Sequence, residues 1–182
     1  MKSRPALIAM DGANGRALLA AAERVARDGR KSLKGISRFD ASGLFEQQLV
    51  ADDDGPASPR TLLLLYAADL AFRLRWEIEP ALLEGQSIVA APYVETAVAF
   101  GRACGLPGKW LDTLFRFARK PSERRFVDVL PQPGPPTAGL VEFGCARPHG
   151  LLPARKLAAL THEHLRARAR RSRPRRLVRG AR

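Results

Sequence analysis

At 182 residues the chain suits one domain, large enough to bury roughly 70% of the surface its unfolded form would expose. A 46% hydrophobic content with regular Gly and Pro punctuation reads as globular, which excludes fibrous and fully disordered classes. The net charge of +13 is unevenly spread: nine arginines (Arg166, Arg168, Arg170, Arg171, Arg173, Arg175, Arg176, Arg179 and Arg182) and no acid lie in residues 166–182, so the other 165 residues carry only +4.

Several classes drop out on the same grounds. No apolar run reaches the roughly 20 residues that span a bilayer, and the apolar core of MKSRPALIAMDG is too short for a secretory signal, so a cytoplasmic protein without membrane attachment is expected. Cys104 and Cys145 form no C-x-x-C pair and read as two reduced, partly buried thiols. No metal site is expected.

In chain order, residues 6–10 form a short apolar run that stops at Asp11-Gly12, as a buried strand does. Residues 16–27 repeat Leu18, Leu19, Ala22, Val25 and Ala26 at helical spacing, and Gly29 is a natural stop. A second strand is expected over 32–39 and a helix around Leu44, Phe45, Gln48 and Leu49, before the acidic turn DDDGPASP. Ser58-Pro59 opens a long helix, apolar on most of its circumference, in which Asp69, Arg73 and Glu77 form a charged stripe at spacing four. Residues 88–91 lie between Gly85 and Pro92 and lack polar alternation, as a central parallel strand does. Helices are expected over 94–104, ended by Gly105, and over 109–119. A buried strand is expected over 126–130, a last strand over 140–146 after PQPGPPTAG, and a last helix from 153 to about 170. Strands alternating with helices predict a parallel sheet covered on both faces, with ligands beyond the C-terminal strand ends.

The first strand-turn-helix is where a phosphate-binding loop would sit. A working G-x-x-x-x-G-K-[ST] loop cradles phosphates with backbone N–H groups, neutralises charge with its Lys and holds magnesium through its hydroxyl. Here the turn reads MDGANGRALL, placing Gly15, Arg16 and Ala17 where the motif wants Gly, Lys and a hydroxyl residue. Gly12, Gly15 and Arg16 are therefore the candidates for a vestigial phosphate loop, fit for weak binding of ATP or another phosphate.

The stretch 61–101, TLLLLYAADLAFRLRWEIEPALLEGQSIVAAPYVETAVAFG, resembles the centre of thymidylate kinase. That family has a long apolar helix ending near a proline, then a buried strand leading into an Asp-Arg-Tyr triplet, which here reads Ala91, Pro92, Tyr93. The resemblance covers roughly residues 5–130. It implies an α/β, P-loop NTPase-like three-layer fold, with a central parallel sheet of about five strands covered by helices on both faces. It also implies losses. The family's monophosphate-gripping Arg follows the Ala-Ala-Asp of the helix, where this chain has Ala67, Ala68, Asp69 and then Leu70; Ala91 and Pro92 replace an acid and an Arg; and the arginine-bearing lid shrinks to a proline-rich stretch with Arg147 before His149. Asp69, Tyr93 and Phe100 remain as vestigial substrate-side residues, with core packing as the alternative role of Tyr93 and Phe100.

The sequence thus predicts a kinase-like domain over 1–165 and an Arg-rich, disordered tail over 166–182 that binds nucleic acid or an acidic protein, or that reflects composition alone. The expected function is a degenerate thymidylate kinase-like protein, non-catalytic, acting as a binding, regulatory or scaffold partner. The alternatives are an active nucleotide kinase with an atypical site, and a nucleic-acid-associated adaptor. The resemblance further implies a homodimer or heterodimer through the 61–79 helix.

Overall fold

The computed structural model describes residues 4–29, 33–50, 57–132, 134–146 and 152–172. Strands β1 (Leu7–Gly12), β2 (Leu33–Arg38), β3 (Ser87–Ala91) and β4 (Glu123–Val127) form one parallel sheet in the order β2-β3-β1-β4. The helices are α1 (Gly15–Asp28), α2 (Leu44–Val50), α3 (Pro59–Arg73), α4 (Glu79–Leu83), α5 (Val94–Ala103), α6 (Gly108–Leu114), α7 (Leu140–Ala146) and α8 (Ala154–Ser172). A wider π-helical turn, Leu74–Ile78, joins α3 to α4.

The two-residue period of the central strands divides the core into layers. Ile8 and Met10 of β1 and Val89 and Ala91 of β3 meet Leu18, Ala21 and Ala22 of α1. Leu7, Ala9, Ile88 and Ala90 face the other way, toward Tyr66 and Leu70 of α3 and Phe100 of α5. Both faces are buried, which is why β1 and β3 read as unbroken apolar runs. No helix of the described residues is long and apolar enough to cross a membrane.

Three expectations change. The sheet has four strands among the described residues, because 140–146 is helix α7. Its run LVEFGCA is short and apolar, a pattern that periodicity cannot assign. Packing decides it: Phe143 meets Phe45 edge-to-face at 5.0 Å, and Gly144 lies so close to Phe100 that an added Cβ would come within 2.4 Å of the ring. Next, β4 starts three residues before the expected 126–130 and is a largely exposed edge, not a buried strand. Finally, the helix expected to end near 170 runs to Ser172, so Arg166, Arg168, Arg170 and Arg171 are helical instead of frayed. Leu157, Thr161, His162 and Leu165 bury one face of it. Arg173, Arg175, Arg176, Arg179 and Arg182 lie outside the described residues, as do Arg147 and His149.

Helix α3 starts where Ser58 accepts the Thr61 N–H at 3.1 Å, with Pro59 in the first turn. Its charged stripe points inward. Asp69 and Arg73 are fully buried with Arg73 Nε 3.0 Å from Asp69 Oδ2, an ion pair not aligned as a hydrogen bond. Asp69 Oδ1 accepts the Ser42 N–H and hydroxyl, while Arg73 donates to the Pro92 carbonyl at 2.9 Å and to the Tyr66 hydroxyl at 3.2 Å. Removing one member of a buried pair strands the other charge. Arg73→Met is therefore expected to destabilise the protein by about 3–5 kcal/mol in urea denaturation, and adding Asp69→Leu to recover part of that loss.

Candidate functional site

The turn from β1 into α1 is built as a phosphate loop is, with a strand ending at Gly12 and a helix starting at Gly15. Three of its donors, however, are answered from within the chain. Asn14 caps α1, its side-chain oxygen accepting the Ala17 N–H at 2.9 Å while its amide donates to the Leu130 carbonyl at 3.0 Å. The Gly12 N–H donates to the Thr96 hydroxyl at 3.2 Å. The Gly15 N–H donates to Glu142 Oε1 at 2.6 Å.

Glu142 comes from α7 and is 8% exposed. Burial raises its pKa above the ordinary carboxylate value, opposed by the hydrogen bond from Gly15 and by the charge of Arg16. The turn before α7 presses on the same loop. A Cβ added at Gly15 would lie 2.1 Å from the Ala138 carbonyl oxygen. Ala13 of the loop is fully buried among Ala99, Val141 and Leu165, from α5, α7 and α8. A carboxylate thus occupies the start of α1, where the helix dipole and free N–H groups favour an anion.

Asp11 makes the second junction. It points to the α5 side of the sheet, where Oδ1 accepts the N–H groups of Tyr93 (3.0 Å) and Thr96 (2.9 Å) and the Thr96 hydroxyl (2.8 Å). It thereby caps α5 from another element. Burial, reinforced by the charge of Glu95, pushes its pKa up to about 6 against these hydrogen bonds. Glu95 is held differently: burial pushes it up, but the hydrogen bonds and charges of Arg168 and Arg124 outweigh this and keep it below the ordinary value.

The residues expected from sequence are thus distributed as follows. Gly12 and Gly15 lie in the loop, and Arg16 is exposed beside Glu142. Asp69 is buried with Arg73 and Ser42. Tyr93 is buried, with its hydroxyl donating to the Arg119 carbonyl at 2.6 Å, and Phe100 is fully buried beneath Gly144. Arg166 pairs with Asp128, Arg168 with Glu95, and Arg170 and Arg171 are exposed. Sequence reading missed Asp11, Thr96 and Glu142. The lone acid inside LVEFG was the available signal, since a buried carboxylate needs a donor. Among the described residues no three His, Cys, Asp or Glu side chains come together to hold a metal.

Parallel strands in this order with a Gly-rich β1-to-α1 turn define a P-loop NTPase-like α/β domain. No family model matches the chain. The thymidylate kinase of Desulfosudis oleivorans is 40% identical over 90 residues, 47% of this chain and 42% of that protein. A probable thymidylate kinase of Pyrobaculum calidifontis is 34% identical over 77 residues, 42% of this chain and 40% of that one. The match thus spans less than half the length of these curated relatives. The crystal structure of thymidylate kinase from Ehrlichia chaffeensis superposes with a TM-score of 0.64 over 93% of this chain and 89% of that one, at 13% identity. The chain is similar to thymidylate kinases over that part of its length and carries their fold.

Two tests follow from the loop. Gly15→Ala is expected to lower stability by about 1–3 kcal/mol in thermal denaturation, because its Cβ meets backbone that cannot rotate away. The folded-state pKa of Asp11 lies above its ordinary value, so its linkage favours folding at pH below about 4 and is lost as pH rises through about 6. Asp11→Asn is expected to flatten stability against pH between about 4 and 6, measured by urea melts at fixed pH steps.

Proposed function

We propose that this chain is a non-catalytic thymidylate kinase-like protein of the cytoplasm, acting by binding a partner. The observation that carries this reading is the 2.6 Å hydrogen bond from the Gly15 N–H to Glu142, a carboxylate where a working loop holds phosphate. The missing groups point the same way: Ala17 has no hydroxyl for magnesium, Leu70 replaces the expected phosphate grip and Ala91 the expected acid. A magnesium–nucleotide fits these residues poorly. Phosphoryl transfer rests on positioning and charge stabilisation, and one such group is worth on the order of 10²- to 10³-fold. Losing several takes a kinase rate of about 1–100 per second below detection.

A partner face is available on the outside of α3 and its continuation. Leu64, Phe72 and Trp76 are 53%, 39% and 65% exposed at spacings of eight and four, an apolar stripe suited to a second copy or a related subunit. The Arg-rich segment from Arg166 onward is proposed to add affinity for acidic partners, with Arg170 and Arg171 as its exposed helical part.

The opposite reading, an active nucleotide kinase with an atypical site that uses ATP and magnesium, draws on the names of the curated relatives. A coupled assay with thymidylate, ATP and magnesium separates the two. No turnover above background is expected; turnover of about 0.1 per second, abolished by Arg16→Ala, would favour the active enzyme.

A further inference from the structure

The positive excess of this chain is confined to two segments. Residues 102–128 hold seven cations against three acids and residues 154–182 eleven against one, so the rest of the chain sums to −1. The fold brings the two segments together. Helix α8 runs back along β4: His162 and Arg166 pair with Asp128 just past the strand, and Arg168 meets Glu95, which also holds Arg124 near the strand's start. The exposed end of α8 therefore lies against the chain that enters β4, and Pro121 and Ser122 line a cleft of about 860 Å³ together with Ala169 and Arg170. Within that cleft the acids are already matched. Glu95 takes Arg124 and Arg168, Glu123 takes Arg125, Asp128 takes Arg166, and Asp11 is hydrogen-bonded to the start of α5. The surplus stands at the mouth and beside it: Arg116, Arg119, Lys120, Arg170 and Arg171 are exposed, and none pairs with an acid among the described residues. Arg119 and Lys120 directly precede Pro121, so their Cα atoms lie within about 8 Å of the cleft wall.

We propose that this basic rim binds single-stranded nucleic acid, through its phosphates and independently of sequence. The proposal narrows the acidic partner of the Arg-rich segment to nucleic acid, adds residues 116–120 to the contact surface, and rests on that reading; it does not depend on whether the chain turns over nucleotide. Cations with no acid to answer them suit a phosphodiester backbone, in which every link carries a charge and each neutralised phosphate releases counterions. Four of the five are arginines, whose planar fork grips a phosphate through two N–H groups. Beyond Ser172 the sequence adds Arg173, Arg175, Arg176, Arg179 and Arg182 and no acid. Phe117 decides between nucleic acid and an acidic protein. It is 47% exposed between Arg116 and Arg119, and its ring offers a face on which an unpaired base stacks. A duplex keeps its base faces to itself and gains nothing from that ring.

The test is fluorescence-anisotropy titration of the full chain with a labelled oligothymidine of about 20 nucleotides, long enough for one site, and in parallel with a duplex and with polyglutamate. Oligothymidine binding is expected to weaken at least about 10²-fold between about 50 and 200 mM salt, since five phosphates at a slope of about 0.7 each give that loss. Arg116→Ala, Arg119→Ala and Lys120→Ala combined should lower the salt slope by about 2 while circular dichroism shows the fold retained. The Arg119 contact to the Tyr93 hydroxyl is through its carbonyl and survives the change. Phe117→Ala should weaken the single strand at least about fivefold and leave the duplex unchanged. Four results would overturn the proposal: no binding at about 50 mM salt, an unchanged slope in the triple variant, indifference to Phe117→Ala, or polyglutamate bound as tightly as oligothymidine. The last of these removes nucleic acid and keeps the acidic-partner reading, whereas no binding of either polyanion removes both.

Discussion

A carboxylate withdrawn from water must be answered by donors, and in this chain Glu142 is answered at the N-terminus of α1. That one contact fixes much of the surrounding architecture. It brings α7 down on the β1-to-α1 turn, seats Ala138 against Gly15, and lays Gly144 on the ring of Phe100. An anion supplied in cis satisfies the same dipole and N–H groups that attract phosphate. The β1-to-α1 turn is thereby packed against α7 and the turn before it.

The other buried charges follow the same logic. Asp11 spends its acceptors on the start of α5, so β1 and α5 are joined at the C-terminal edge of the sheet, where ligands of such folds gather. Asp69 and Arg73 tie α3 to Ser42 and to the Pro92 carbonyl, the segments after β2 and β3. Hydrogen-bonded charges of this kind cost several kcal/mol to unpair, more than most single apolar contacts contribute. Charge near the candidate site therefore holds loops in place. At the exposed end of α8, Arg170 and Arg171 have no ion pair among the described residues.

Sequence reading recovered the elements whose signals are local. The strand ending at Asp11-Gly12, the Ser58-Pro59 helix start and the strand before Pro92 all lie where composition and punctuation put them. It failed where a distant partner decides. Seven apolar residues at 140–146 have no period that separates strand from helix, and Phe45 and Phe100 make the choice. Spacing gave the Asp69, Arg73, Glu77 stripe a face but not its direction; Asp69 and Arg73 turn inward and Leu64, Phe72 and Trp76 outward. The run from Arg166 looked too charged to fold, yet Glu95 and Asp128 neutralise Arg168 and Arg166 and let α8 continue. Asp11 and Glu142 were invisible as a pair of junctions, since each is defined by a partner more than 80 residues away in sequence.

Glu142 holds the Gly15 N–H at the start of α1, where a phosphate loop binds its anion. The most direct measurement is the Gly15 amide resonance in a proton–nitrogen correlation spectrum, followed as magnesium–ATP is added to about 5 mM, well above the usual substrate range. The account predicts a Gly15 amide shifted downfield by its short hydrogen bond and unmoved by nucleotide. A saturable shift of Gly15 and Arg16 with added nucleotide, with Glu142 released to solvent, would contradict it.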